Sequence, residues 1–299
     1  MQWLKPWLVL QLRYQPAMRT QFDYCHGVQP VESPADKWRN SLMGWGIPEA
    51  ILRQAPQSPW VHPPESFKPV SDLTLATPSW LRAKETLDAC QSGSQILDIG
   101  CGGGRGSLGL APPAVRIIGV DQQQTMLDLF AKEATSRSIE FATIKGQWPE
   151  VAEQTPICDV VVCHHVFFNV AELQPFVLQL ASHARRRVVA EIPMYHPLSN
   201  LSPAWKQFWN LDRPKSPTAF DAVEVIRDLG IDAHIETFEM DDPKTGVSDL
   251  DVEHTRIRLC LDKSRDPDVR EFLINRDRSP RTIATIWWDT NNENMKTNE

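Results

Sequence analysis

The densest chemistry in this sequence is a run of glycines flanked by two acids. Residues 96–106 read Ile-Leu-Asp-Ile-Gly-Cys-Gly-Gly-Gly-Arg-Gly. Asp98 sits inside an apolar stretch that runs directly into Gly100, Cys101, Gly102 and Gly104. Glycines just after a strand let the chain turn sharply and let a ligand approach the main chain without a Cβ in the way. A helix expected at 105–110 would aim its unpaired N–H groups into the same space. A second apolar stretch ends on Asp121, followed by Gln122. There a carboxylate can accept from both hydroxyls of a ribose, at the carboxyl edge where parallel sheets collect their ligands. Asp98 among apolar neighbours is costly unless paired. It would repel a pyrophosphate and suit an ammonium group. The combination points to a ligand joining an adenosine to a cationic amino acid. A Gly-x-Gly-x-x-Gly fingerprint also occurs at Gly104, Gly106 and Gly109. It begins well inside the turn rather than off the strand, so a nicotinamide dinucleotide fits less well.

His164 and His165 close a further apolar stretch that includes Cys163. At a strand's carboxyl end one of them could deprotonate a hydroxyl or amine nucleophile, and equally one could satisfy a core hydrogen bond. Tyr195-His196 is a second place for a base, with Asn169 and His183 weaker candidates. His62, His234 and His254 read as structural or exposed. The eleven tryptophans include Trp38, Trp45, Trp60, Trp205 and Trp209, which could line an aromatic pocket but more simply seal irregular segments. Arg185-Arg-Arg187 reads as a solvated turn. No nucleophilic triad or zinc spacing occurs, and no metal site is expected.

The elements that must position these residues begin at residue 79. Strands are expected at 95–99, 115–120, 139–144, 158–163, 187–192, 231–238 and 282–288. Helices are expected at 79–89 (capped by Ser79), 105–110, 123–135, 171–183, 202–209, 218–229, 248–261 and 268–275. Strands of continuous Val/Ile character alternating with helices mean a parallel sheet covered on both faces. Residues 1–78 are rich in proline and tryptophan and read as an irregular cap, with one helix at 41–54 and an extended, proline-rich 56–69. Residues 79–290 form the main domain, with an insert at 198–230, and the polar 291–299 tail is expected to be disordered.

Composition bounds the rest. The chain has 299 residues, ample for a large core without staples. A formal net charge of −7 argues against an obligate nucleic-acid partner, which needs a basic face. None of the six cysteines forms a Cys-x-x-Cys pair, which suits a reduced, cytoplasmic setting. No apolar run is long enough to span a bilayer. Residues 1–12 lack a signal-peptide pattern and read as a short docking element or an over-extended start. Nothing in the sequence speaks to oligomeric state.

From residue 79 to about 240, and again in the closing strand, the sequence resembles the class I S-adenosylmethionine-dependent methyltransferases. Ile-Leu-Asp-Ile-Gly-Cys-Gly-Gly-Gly is similar to their first motif, and Ile-Gly-Val-Asp121 to the second, with its ribose-binding acid. Gly146-Gln-Trp-Pro149 lies where the family contacts adenine, and Asp159-Val-Val-Val-Cys-His-His165 resembles the strand that lines the methyl-donor site. The resemblance implies S-adenosylmethionine as cofactor, bound through Asp98, Gly100, Cys101, Gly102, Gly104, Asp121, Gln122, Gln147, Trp148 and Cys163. The family often places an Asp or Glu on the adenine amino group. Here Gln147 would accept from that group and Trp148 would cover the ring. The resemblance also implies a doubly wound, Rossmann-like seven-stranded sheet with one antiparallel member. Residues 198–230 and the N-terminal cap fall where the family covers its substrate. The implied reaction is in-line methyl transfer to a small-molecule acceptor, with His164 or His165 as base. The Asn/Asp-Pro-Pro-aromatic motif of DNA-methylating enzymes is absent. The alternatives are a nicotinamide-dependent oxidoreductase and a non-catalytic S-adenosylmethionine-binding protein.

Overall fold

The computed structural model describes residues 31–59, 76–90, 93–241 and 246–290. Expectations for residues 1–12, for most of the proline-rich 56–69 segment and for 291–299 lie outside them, as do Cys25, Trp60 and His62.

The strands are β1 (Gln95–Ile99), β2 (Arg116–Asp121), β3 (Glu140–Lys145), β4 (Cys158–His164), β5 (Ala184–Pro193), β6 (His234–Met240) and β7 (Arg281–Asp289). They form one sheet in the order β3-β2-β1-β4-β5-β7-β6. The pairs from β3 through β5 are parallel, and β7 runs antiparallel to both β5 and β6. This is the seven-stranded sheet with one reversed member that the motifs implied. The order reverses at β1, so the ends of β1, β2 and β4 share the edge where ligands collect. Ile96, Leu97, Val160, Val161, Val162, Val188 and Val189 are fully buried, because a central parallel strand is covered on both faces.

The helices are α1 (Pro34–Met43), α2 (Glu49–Leu52), α3 (Pro78–Asp88), α4 (Gln124–Ser136), α5 (Leu173–His183), α6 (Ser202–Trp209), α7 (Ala219–Asp228), α8 (Asp249–Arg258) and α9 (Asp266–Asn275). Several differ from the sequence reading in instructive ways. The helix expected at 41–54 is split, because Gly44, Gly46 and Pro48 interrupt it between α1 and α2. Thr77, not Ser79, caps α3, its side chain accepting from the Trp80 amide. The helix expected at 105–110 is reduced to a 3-10 turn at Leu108–Leu110. Glycines at 104, 106 and 109, followed by Pro112-Pro113, leave too little helix propensity there. Strand β5 begins at Ala184, so Arg185-Arg-Arg187 is strand rather than turn, and Arg187 pairs with Asp289 and Glu85.

The layers also depart from expectation. Helix α7 was assigned to a substrate-covering insert, yet Ala219, Ala222, Val223 and Ile226 belong to the main core beside β4 and β5. A second core forms elsewhere, from Ile47, Ile51, Trp205, Val252, Leu261 and Phe272. It joins α2 and α6 to α8 and α9, which lie between β6 and β7. Among the described residues, no helix is long and apolar enough to cross a membrane.

Candidate active site

Asp121 ends β2 and faces the turn that follows β1. Its Oδ2 accepts from the Gly102 amide at 3.1 Å and its Oδ1 from the Gln123 amide at 2.8 Å. Burial pushes its carboxyl up, and these backbone donors, with that of Gln122, pull it back. Each oxygen keeps a lone pair, so the donor set fits the two hydroxyls of a ribose. Gln122 itself is exposed beside it.

The turn was expected as bare main chain offering N–H groups, and the structure corrects this. Gly100 and Cys101 both donate to the Val120 carbonyl, and Gly104 donates to Cys101. Gly100 and Gly104 adopt φ of 70° and 82°, where a side chain is strained. A Cβ at Gly100 would meet a Val166 methyl at 2.5 Å, and one at Gly104 would meet Leu108 at the same distance. Val166 and Leu108 thus occupy the space that side chains at Gly100 and Gly104 would need, so both positions require glycine.

Asp98 differs from expectation too. It is 1% exposed, and its Oδ2 accepts from the Ser107 hydroxyl at 2.5 Å. Burial drives its carboxyl up to about 7, the Ser107 hydrogen bond lowers it and the Asp121 charge raises it. The acid staples the turn to β1 rather than standing open to an ammonium group. Cys101 packs its thiol against Gly119, and Cys163 is fully buried in β4. Burial raises both thiols, so neither is a nucleophile. Trp148 is drawn into the core: it is 6% exposed, donates to the Phe176 carbonyl at 3.4 Å and meets His183 edge-on. It has no free face with which to cover an adenine. Gln147 remains part-exposed after β3.

Across the switch point, β4 and β5 bring together residues the motifs did not connect. His165 takes φ of 60°, and its Nε2 lies 3.4 Å from Oε1 of Glu191 in β5. Ser79 donates its hydroxyl to the other oxygen of Glu191. Burial pushes Glu191 up, but the hydrogen bond from His165, the two imidazoles and Ser79 outweigh it and hold the carboxyl at about 2. His164 is neutral: burial lowers it to about 4, and its Nε2 is enclosed without a partner. Glu191 was read only as part of a strand, and Ser79 only as a cap. Their signal was a lone acid in an apolar strand, the same signal that singled out Asp98. Thr77, Trp80, Arg105, His164, Glu191 and Met240 line a cavity of about 20 Å³ between α3 and the sheet edge. That is room for about one water molecule.

The remaining candidates lie elsewhere. His183 is enclosed by backbone, its Nδ1 2.8 Å from the Gln179 carbonyl and its Nε2 2.9 Å from the Ala152 carbonyl. His196 is 8% exposed, stacks on Trp45 at 4.0 Å and is lowered by burial to about 3, so it is not a second base. The Trp38, Trp45 and Trp209 indoles donate to backbone carbonyls, which is sealing rather than pocket geometry. Among the described residues no His/Cys/Asp/Glu cluster could hold a metal ion.

Residues 96–187 match the family model described as a methyltransferase domain. A ubiquinone biosynthesis O-methyltransferase of Rickettsia akari is 29% identical over 98 residues, covering 33% of this chain and 39% of that protein. A cypemycin N-terminal methyltransferase of a Streptomyces species is 27% identical over 107 residues, covering 36% and 41%. The alignment thus spans about two fifths of the curated relatives. Magnesium protoporphyrin IX methyltransferase from Synechocystis, solved with bound SAH, superposes with a TM-score of 0.43 at 18% identity, over 70% of this chain and 78% of that one.

Proposed function

We propose that the protein is a class I S-adenosylmethionine-dependent methyltransferase that methylates a small-molecule acceptor, a reading supported by the match of residues 96–187 to the methyltransferase domain model and by the methyltransferases among its curated relatives. When bound, S-adenosylmethionine supplies a methyl group already activated on a sulfonium. The protein's own task is then alignment and exclusion of water. Asp121 holds the ribose hydroxyls, and the 100–104 turn, stapled by Asp98 and Ser107, forms the floor beneath them. Gln147, part-exposed after β3, would accept from the adenine amino group. His165 takes the acceptor's proton. Glu191, ionised at neutral pH, fixes the proton of His165 on Nε2 and leaves Nδ1 to accept. Glu191 is thus a positioning residue. His164, neutral and enclosed, forms a wall of the cleft.

The observation that carries this reading is the Asp121 carboxylate at the end of β2, with one backbone donor and one spare lone pair on each oxygen. The oxidoreductase alternative needs a helix opening at Gly104-x-Gly106-x-x-Gly109, and that segment is a turn. A net charge of −7 supports a small molecule over nucleic acid as acceptor. The five described cysteines are free thiols, which supports a cytoplasmic location.

Calorimetric titration tests the cofactor. S-adenosylhomocysteine should bind the wild type and NAD should not. Asp121→Ala should weaken binding by about 1–3 kcal/mol through loss of charge-assisted hydrogen bonds. NAD binding without S-adenosylhomocysteine binding would overturn the proposal. A labelled-methyl assay on fractionated small-molecule extract tests the transfer, and no labelled product in any fraction would leave a non-catalytic binder.

A further inference from the structure

Arg105, which follows Gly104 in the turn, carries a charge that the fold does not use. It lines the cavity between α3 and the sheet edge, and its guanidinium makes no hydrogen bond, ion pair or ring contact among the described residues. Its charge still reaches the His164 imidazole, which it helps to lower. Glu191 lines the same cavity, and its two oxygens face His165 and the Ser79 hydroxyl rather than Arg105. A cation and an anion thus border one small space without pairing. Opposite charges held apart in this way match a zwitterion, with an ammonium for the acid and a carboxylate for the guanidinium fork.

Sheet order says which zwitterion reaches them. Across β3-β2-β1-β4 the strand ends carry, in turn, Gln147, Asp121, the glycine turn and His164. Neighbouring strands lie about 4.8 Å apart, so the end of β4 is about 10 Å from that of β2. With the adenine at Gln147 and the ribose on Asp121, the rest of the ligand extends across the turn toward Arg105 and His164. The turn closes onto β4 there, for a Cβ at Gly106 would meet the His164 ring at 3.0 Å. In S-adenosylmethionine that extension ends in an α-ammonium and an α-carboxylate. The motif offered Asp98 for the ammonium, but Ser107 engages that carboxyl, and the acid lining the cavity is Glu191.

Resting on the methyltransferase reading above, we propose that Arg105 and Glu191 hold the amino-acid end of the cofactor, the carboxylate on Arg105 and the ammonium against Glu191. The cavity has room for about one water molecule, the space that a compact ammonium needs. The bulkier carboxylate stays on the open side, where Arg105 is part-exposed.

The test is calorimetric titration of the full chain, wild type and Arg105→Gln, with two ligands. One is S-adenosylhomocysteine; the other is 5′-methylthioadenosine, which keeps the nucleoside and the sulfur but lacks the amino-acid end. Arg105 is part-exposed and unbonded, so the substitution leaves the fold intact. Wild type should prefer S-adenosylhomocysteine by at least about tenfold. The variant should lose about tenfold in affinity for S-adenosylhomocysteine and none for methylthioadenosine. Unchanged methylthioadenosine binding also shows that the variant is folded. A wild type without that preference, or a variant that loses equally for both ligands, overturns the proposal. Wild type that binds neither ligand sinks the cofactor reading and this assignment with it. Wild type that binds both, with a variant that behaves identically, sinks the Arg105 assignment alone.

Discussion

Asp98 and Glu191 sit on neighbouring regions of one sheet edge, and both are buried, at 1% and 5% exposure. Their carboxyls nevertheless move in opposite directions, Asp98 up to about 7 and Glu191 down to about 2. Burial alone raises both. Asp98 meets one neutral hydroxyl, from Ser107, and the negative charge of Asp121. Glu191 accepts from His165 and the Ser79 hydroxyl, and the nearby His164 imidazole also favours its charged form. Partners, not depth, decide the state of a buried acid. The β1–β2 region thus raises its inner acid, while the outer one, Asp121, keeps a spare lone pair on each oxygen. The β4–β5 region keeps a full charge that can orient an imidazole.

The largest expected effect is on the Asp98 side. Its carboxyl holds a proton more tightly folded (about 7) than at its ordinary 3.8. Between those values the folded chain keeps a proton that the unfolded chain has lost, so this group lowers stability as pH rises through the window, by roughly 4 kcal/mol at most. Asp98→Asn removes that slope. His164 and His196, lowered to about 4 and 3, act oppositely by costing stability as pH falls below 6.5. The measurement is therefore the difference between wild type and Asp98→Asn in urea midpoints from pH 4 to 8. A pH-independent difference would break the comparison.

On the other side, Glu191→Ala should cost about 3 kcal/mol, because it strips a buried charge network of its acceptor. Glu191 lies below its ordinary 4.5, so its contribution is present above pH 4.5 and is lost as pH falls toward 2. A variant as stable as wild type at pH 7 would mean that the imidazoles do not hold the charge. The smallest effects separate the two hydroxyls. Ser107→Ala and Ser79→Ala should each cost about 1 kcal/mol. Ser107→Ala should also move the Asp98 midpoint further up, and Ser79→Ala should move that of Glu191 up, both readable by carboxyl NMR. A shift in the wrong acid would reassign the partners.

The strand set and much of the helix order were legible in the sequence, because continuous Val and Ile runs such as 158–163 can only be strands covered on both faces. Asp98 and Asp121 were legible as unusual for the same reason: acids beside glycines at apolar strand ends need an explanation. The missing helix after Gly104 was written there too, in three glycines and a Pro-Pro pair, and only the expectation of a helix behind the turn hid it. The partners were not legible. Ser107 reaches Asp98 across a turn of nine residues, and Ser79 reaches Glu191 from 112 residues away. A strand's alternation says which side chains are buried, but a hydrogen-bond partner is chosen by whatever another element places within about 3 Å. The sequence by itself determined the sheet and the acids on its edge. Tertiary structure alone decided which acid is raised, which is lowered and which keeps spare lone pairs, because desolvation and hydrogen bonding act over distances that only packing sets.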